Sequence, residues 1–249
     1  MRHWIFWACL PWLIPQALYV RLTAPRFADA AGPRQGIAAP VRRAATIRDL
    51  RLFAIGDSII AGVGADRCEQ ALVGQTAQAL SQQLSARIHW QALGQTGFHT
   101  RQIIDSLLPR IPAQPQDFII ISAGVNDITS LRRINAWRTD MLQLITTLRQ
   151  HSPKAIIAVA GIPPLGQFPL LPYPFRWLLG LRAALFDQAA RELVLPLSRT
   201  IYINIGVNAD PEQFSADGFH PSAESYQAFG EQTANRMVTM LSRHEHDHA

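Results

Sequence analysis

The sequence predicts an α/β fold in which a parallel sheet is covered by helices on both faces. Two features point there. Short apolar runs, too uniform to be wet on one side, recur along the chain, and segments with helical periodicity fill the gaps between them. A strand, helix, strand alternation of this kind closes most simply as parallel β-α-β units. The first strand is Leu50–Ile55, which stops at the small polar turn Gly56-Asp57-Ser58. A helical pattern near 69–84 leads to Ile88–Leu93, and another near 99–108 leads to Phe118–Ser122. The longer pattern 131–150 precedes Ile156–Ala160, the pattern 177–194 precedes Ile201–Ile205, and 222–242 closes the domain. Five strands are therefore expected, with the domain at 49–243.

The 249 residues suffice for one catalytic domain plus an extension. With 48% hydrophobic and 16% charged residues the chain is globular, not disordered. The net charge of +5 is concentrated partly in Arg21, Arg26, Arg34, Arg42 and Arg43, and no basic run interleaved with aromatics follows, so nucleic acid is not an expected partner. Cys9 and Cys68 form neither a disulfide framework nor a metal pattern. Residues 1–22 form an apolar N-terminal segment. Its core, 4–20, would span about 25 Å as a helix, short of a hydrocarbon layer of about 30 Å, and Pro11 and Pro15 would kink it. It reads as a membrane-associating anchor, which would place the protein at a membrane. A signal peptide, implying a secreted or periplasmic protein, and a packed helix of a cytoplasmic one are the alternatives. Residues 23–48, rich in alanine, proline and arginine, read as a linker. The His-rich tail 244–249 reads as a solvated terminus, and no metal site or cofactor is expected.

In an open α/β sheet ligands gather outside the carboxyl ends of the strands. The residues there are Gly56-Asp57-Ser58 after the first strand, Gly94 to Thr100 after the second, Ala123 to Thr129 after the third and Asp217 to Ser222 after the last. Acyl transfer needs a nucleophile, a base, a group to orient the base and donors for the oxyanion. Ser58 is the candidate nucleophile, although Asp57 or Ser58 could instead simply cap the next helix. His220 is the candidate base, and Asp217, three residues earlier, the group that orients it. The backbone N–H groups of Ser58 and Gly97 and the side-chain amide of Asn126 are the candidate oxyanion donors. Asp127 reads as a cap or loop brace and His99 as structural. Gly62-Val63-Gly64 lacks the Gly-Lys-Ser/Thr of a phosphate loop, and Ser58 lacks a Gly-x-Ser-x-Gly elbow.

These four blocks resemble the SGNH (GDSL-type) hydrolases: Gly56-Asp57-Ser58 the first, Gly97 the second, Gly124-Val125-Asn126-Asp127 the third and Asp217-Gly218-Phe219-His220 the last. Gly94 competes with Gly97, and the Gly-x-x-Thr continuation to Thr100 is what favours Gly97. The resemblance implies a flavodoxin-like three-layer α/β/α sandwich. It also implies a metal-free serine esterase, lipase or lysophospholipase that acts through an acyl-enzyme, with a small-molecule or lipid ester as substrate. A deacetylase of acetylated carbohydrate, or a carbohydrate-binding protein without catalysis, would use the same fold. The proline-rich, apolar segment 162–179 begins at the same sheet edge. Phe168 and Leu171 within it are the candidate substrate-binding residues, as a wall for an acyl chain, so that medium acyl esters are expected to outperform acetate.

Overall fold

The computed structural model describes residues 14–16, 18–20, 22–23, 27–41, 47–206 and 210–246. Its sheet has six strands: β1 Gln35–Ala38, β2 Asp49–Gly56, β3 Arg87–Gly94, β4 Phe118–Ser122, β5 Ile156–Ala160 and β6 Thr200–Ile203. Their order is β1-β3-β2-β4-β5-β6, and every pairing is parallel except β1 with β3. The five parallel strands are those read from the sequence. The sixth comes from the stretch read as linker, where Gln35–Ala38 pairs antiparallel with Ile88–Gln91 along the open edge of β3. So short a strand, with half its residues exposed, carries no pattern that composition could reveal.

Residues in β4 and β5 are buried throughout, as strands covered on both faces must be, whereas β3 alternates. The covering helices are α2 Leu72–Leu84 with α7 Ala223–His246, and α5 Ile134–His151 with α6 Phe175–Val194. Each shows a core stripe at helical spacing; in α5 it is Trp137, Met141, Leu144, Ile145 and Leu148. Three shorter helices sit at strand ends: α1 Ser58–Ala61, α3 Thr100–Gln102 and α4 Val125–Thr129. The single helix expected near 99–108 is instead α3, then a π-turn over Ile103–Leu107 and a 3₁₀ turn over Leu108–Arg110. Pro109 sits in the first turn of that last piece and lacks the N–H a continuing α-helix would use.

From β2 the chain moves outward to β3, then crosses back over β2 to β4. The winding direction reverses at β2, which makes its carboxyl end the topological switch point and the natural crevice. Ser58 stands there.

Most of the apolar run 4–20 lies outside the described residues, as do Cys9, residues 42–46 of the linker and residues 247–249 of the tail. Among the described residues no helix is long and apolar enough to cross a membrane. Gln16 is described, and its side chain bridges the carbonyl of Tyr173 and the N–H of Phe175. Cys68 is a buried free thiol.

The helices α2 and α7 meet through Gly230, where a Cβ would fall 2.6 Å from Gln75 Cβ and 2.8 Å from the Thr76 nitrogen. A Gly→Ala change inside a helix normally stabilises it by about 1 kcal/mol. Here Gly230→Ala must push two helices apart and is expected to destabilise by about 1–3 kcal/mol. Urea unfolding decides the sign; an unchanged or raised midpoint contradicts the close approach.

Candidate active site

The turn that carries Ser58 begins with a constraint on backbone approach. A Cβ on Gly56 would lie 2.2 Å from the Ser122 carbonyl, so only glycine lets the ends of β2 and β4 close up. Asp57 then donates its N–H to Ser122 O at 3.1 Å. Its carboxylate caps α1 by accepting from Ile59 N at 3.2 Å, and it also accepts from Ser122 Oγ at 3.0 Å. The capping role therefore falls to Asp57, and the Ser58 hydroxyl turns elsewhere. Burial pushes the Asp57 carboxyl up to about 6, against the pull of those two hydrogen bonds and of His220.

The Ser58 hydroxyl meets His220, 162 positions later, with Oγ 3.0 Å from Nε2. Nδ1 of the same ring lies 2.6 Å from Oδ2 of Asp217. The other carboxylate oxygen, Oδ1, accepts from Ser215 Oγ and from the backbone N–H groups of Phe219 and His220, all at 2.8 Å. Gly218, at φ +65, lets the chain turn back tightly enough for this. Burial alone would raise the Asp217 carboxyl. The hydrogen bonds from the His220 ring and from the His220 and Phe219 N–H groups outweigh it and hold the group at about 2. An ionised Asp217 keeps the ring proton on Nδ1, which leaves Nε2 free to accept from Ser58.

Gly94 and Gly97 differ plainly. A Cβ on Gly94 would strike the Ala61 nitrogen at 2.3 Å, so Gly94 is where β3 packs beneath α1. Gly97, at φ +85, has nothing within 4 Å of its Cβ position and lines the cavity beside Ser58. Asn126 lies in α4 on the same cavity, its amide turned by a 3.0 Å bond to Phe98 O. An amide nitrogen carries two N–H donors, so one is left over for a ligand. The two loops are tied by Asp127, which is fully buried and accepts from Thr100 N and Oγ1 and from Arg132. His99 accepts from the Gln102 N–H and caps α3.

Ser58, Gly97, Asn126 and His220 open on a cavity of about 170 Å³. Its apolar wall includes Ile162, Phe168, Phe214, Phe219 and Phe229. Phe168 sits edge-on to Phe214 and Phe219 with ring centres 5.1 and 5.0 Å away. The structure thus separates the two expected wall residues. Phe168 borders the cavity, while Leu171 is buried in the core and does not line it. The chain turns at Pro169 and Leu170, after Phe168, and the helix it feeds starts only at Phe175. Ile162 and Phe219 were legible as strand-end neighbours of named blocks; Phe214 and Phe229 carry no motif. Among the described residues no three His, Cys, Asp or Glu side chains group as a metal-ligand set.

Residues 54–228 match the GDSL-like lipase/acylhydrolase family. A GDSL-like esterase of Mycobacterium tuberculosis is 28% identical over 229 residues, which cover 86% of this chain and 72% of that protein. Among solved structures, the fold resembles a family 3 carbohydrate esterase of Clostridium thermocellum, with TM-score 0.63, 16% identity, and 79% and 98% of the two chains covered. A lipase from a goat rumen metagenome gives TM-score 0.60 and 19% identity over 74% of this chain and 95% of that one.

Asp57 couples stability to pH with a definite sign. Its folded-state carboxyl titrates at about 6 against 3.8 when unperturbed, so stability is lost as pH rises through that window. Asp57→Asn removes the titration. Its stability relative to the parent is expected to grow by about 2 kcal/mol between pH 4 and pH 7.5, read by urea unfolding. A pH-independent difference contradicts the raised value.

Proposed function

The chain belongs to the GDSL-like lipase/acylhydrolase family and is a carboxylic ester hydrolase, and we propose that it cleaves esters of short acyl groups through Ser58, His220 and Asp217. The observation that carries this reading is the unbroken hydrogen-bond chain Asp217–His220–Ser58, which ends at the mouth of a mostly apolar cavity.

Ser58 Oγ attacks the ester carbonyl while its proton passes to Nε2 of His220. The imidazolium so formed is stabilised by Asp217, whose other oxygen is already saturated by three donors and therefore cannot swing away. The oxyanion is received by the N–H of Ser58, the N–H of Gly97 and the free N–H of the Asn126 amide. His220 returns the proton to the leaving alcohol as the tetrahedral adduct collapses. The acyl-Ser58 intermediate is then hydrolysed by a water that His220 activates in the same way.

The acyl group would occupy the cavity. At about 170 Å³ it is close to the roughly 150 Å³ that holds a benzene ring in an engineered core, which supports acyl groups of up to about six carbons. Acetyl esters of carbohydrates form a second reading, favoured by the same small volume and by the likeness to the carbohydrate esterase. The apolar run 4–20 with its following arginines supports membrane association. Gln16 links that run to the wall segment at Tyr173 and Phe175.

On p-nitrophenyl esters kcat/KM is expected to climb about fourfold per methylene from acetate to hexanoate and to fall by laurate. Ser58→Ala is expected to lower kcat by about 10³ or more, and adding His220→Ala to cost little further, since such residues act as a unit. Activity retained in Ser58→Ala overturns the assignment, and a steady fall from acetate upward moves the reading to deacetylation.

A further inference from the structure

The far wall of the cavity is held by a group that the proposed mechanism does not use. Asp187, on α6, accepts the backbone N–H of Ile162 at 3.0 Å with Oδ1, and the same oxygen accepts from the Tyr202 hydroxyl. Oδ2 accepts from Arg191 Nε at 3.0 Å. The Arg191 guanidinium lies over the Tyr202 ring, 4.4 Å from its centre. Burial and the bond to Asp187 push the Tyr202 hydroxyl's titration well up, so it stays a donor. Gly161 has to be glycine for this to fit, because a Cβ there would fall 2.2 Å from the Tyr202 oxygen and 2.9 Å from Oδ1 of Asp187. Three elements (α6, β6 and the loop that follows β5) are thus joined at one carboxylate.

What the carboxylate holds is a thin partition. Ile162 lines the catalytic cavity, and it also lines an outer groove of about 450 Å³ together with Ile205, Tyr173 and Trp177. Tyr173 and Trp177 are exposed along that groove. On its inner side Ile162 reaches the Asn126 loop, its Cδ1 lying 2.4 Å from where a Gly124 Cβ would be. Ile205 lines both spaces as well, and Ile162 adds the contact to the Asn126 loop.

We infer that Asp187 is a specificity-determining positioning residue: by fixing the Ile162 backbone it keeps Ile162 as the end wall of the acyl cavity and closes off the outer groove to longer chains. The inference rests on the acyl-cavity reading above. Releasing or truncating Ile162 joins the two spaces, and each methylene that then reaches the groove gains about fourfold in affinity. General damage to the site would lower all esters together. Loss of the partition instead raises long over short.

The test is the ratio of kcat/KM for the p-nitrophenyl octanoate and butyrate esters, with thermal unfolding measured alongside. Ile162→Ala and Asp187→Ala are each expected to raise that ratio at least tenfold, chiefly through a lower KM for octanoate. Asp187→Asn, whose amide oxygen still accepts the Ile162 N–H, is expected to keep the ratio within about twofold of the parent. If Asp187→Ala does not fold, Asp187→Ser, too short to reach Ile162, replaces it under the same criterion. An unchanged ratio in Ile162→Ala or in a folded Asp187 truncation overturns the inference, as does an Asn variant that behaves like the truncation. Loss of the Ser58 reading shows separately, as ester hydrolysis surviving in Ser58→Ala.

Discussion

One carboxylate organises the candidate site. Asp217 accepts four hydrogen bonds, three on Oδ1 and one on Oδ2, and the two oxygens fix different things. The Ser215 hydroxyl and the two backbone N–H groups lock the loop between β6 and α7 into a tight turn. The remaining bond sets the plane and the tautomer of the His220 ring. A histidine on an unanchored loop would meet Ser58 only in passing, and general base catalysis depends on the pair being held within hydrogen-bond reach. The bonds from the His220 ring and from the His220 and Phe219 N–H groups also explain why this carboxyl is held at about 2, although burial raises it.

The neighbouring acids show the same physics with the opposite outcome. Asp57, with two donors and nearly complete burial, is pushed up to about 6. Asp127 is likewise raised by burial, although Thr100 and Arg132 bind it. Both hold backbone, the first at the switch between β2 and β4, the second between the Gly97 and Asn126 loops. Each costs stability at neutral pH while it fixes a turn beside the candidate site.

Most of the architecture was legible because parallel strands buried on both faces leave uniform apolar runs. Phe118–Ser122 and Ile156–Ala160 match the observed strands to the residue. The meeting of the four blocks was legible for a related reason: each block follows a strand, and a parallel sheet delivers all strand ends to one edge. What stayed hidden depends on contacts distant in sequence. β1 is an edge strand defined by its partner β3, not by its own pattern. The choice between Gly94 and Gly97 turns on what stands over each of them, namely Ala61 or open space. Leu171 and Phe168 are equally apolar, and only the turn of the chain between them decides which one meets the cavity. Asp187 bears no motif at all, since its role is defined by Ile162 and Tyr202.

In the proposed function Ser58 is a nucleophile made reactive by His220 under the hold of Asp217. A p-nitrophenyl alkylphosphonate reads that reactivity most directly, because the reagent forms a stable adduct only with an activated hydroxyl. Labelling of the full chain should be stoichiometric and map by mass spectrometry to Ser58. It should vanish in Ser58→Ala and slow by about 10³ in His220→Ala. An adduct on another residue, or labelling of Ser58 at an unchanged rate without His220, would contradict the account.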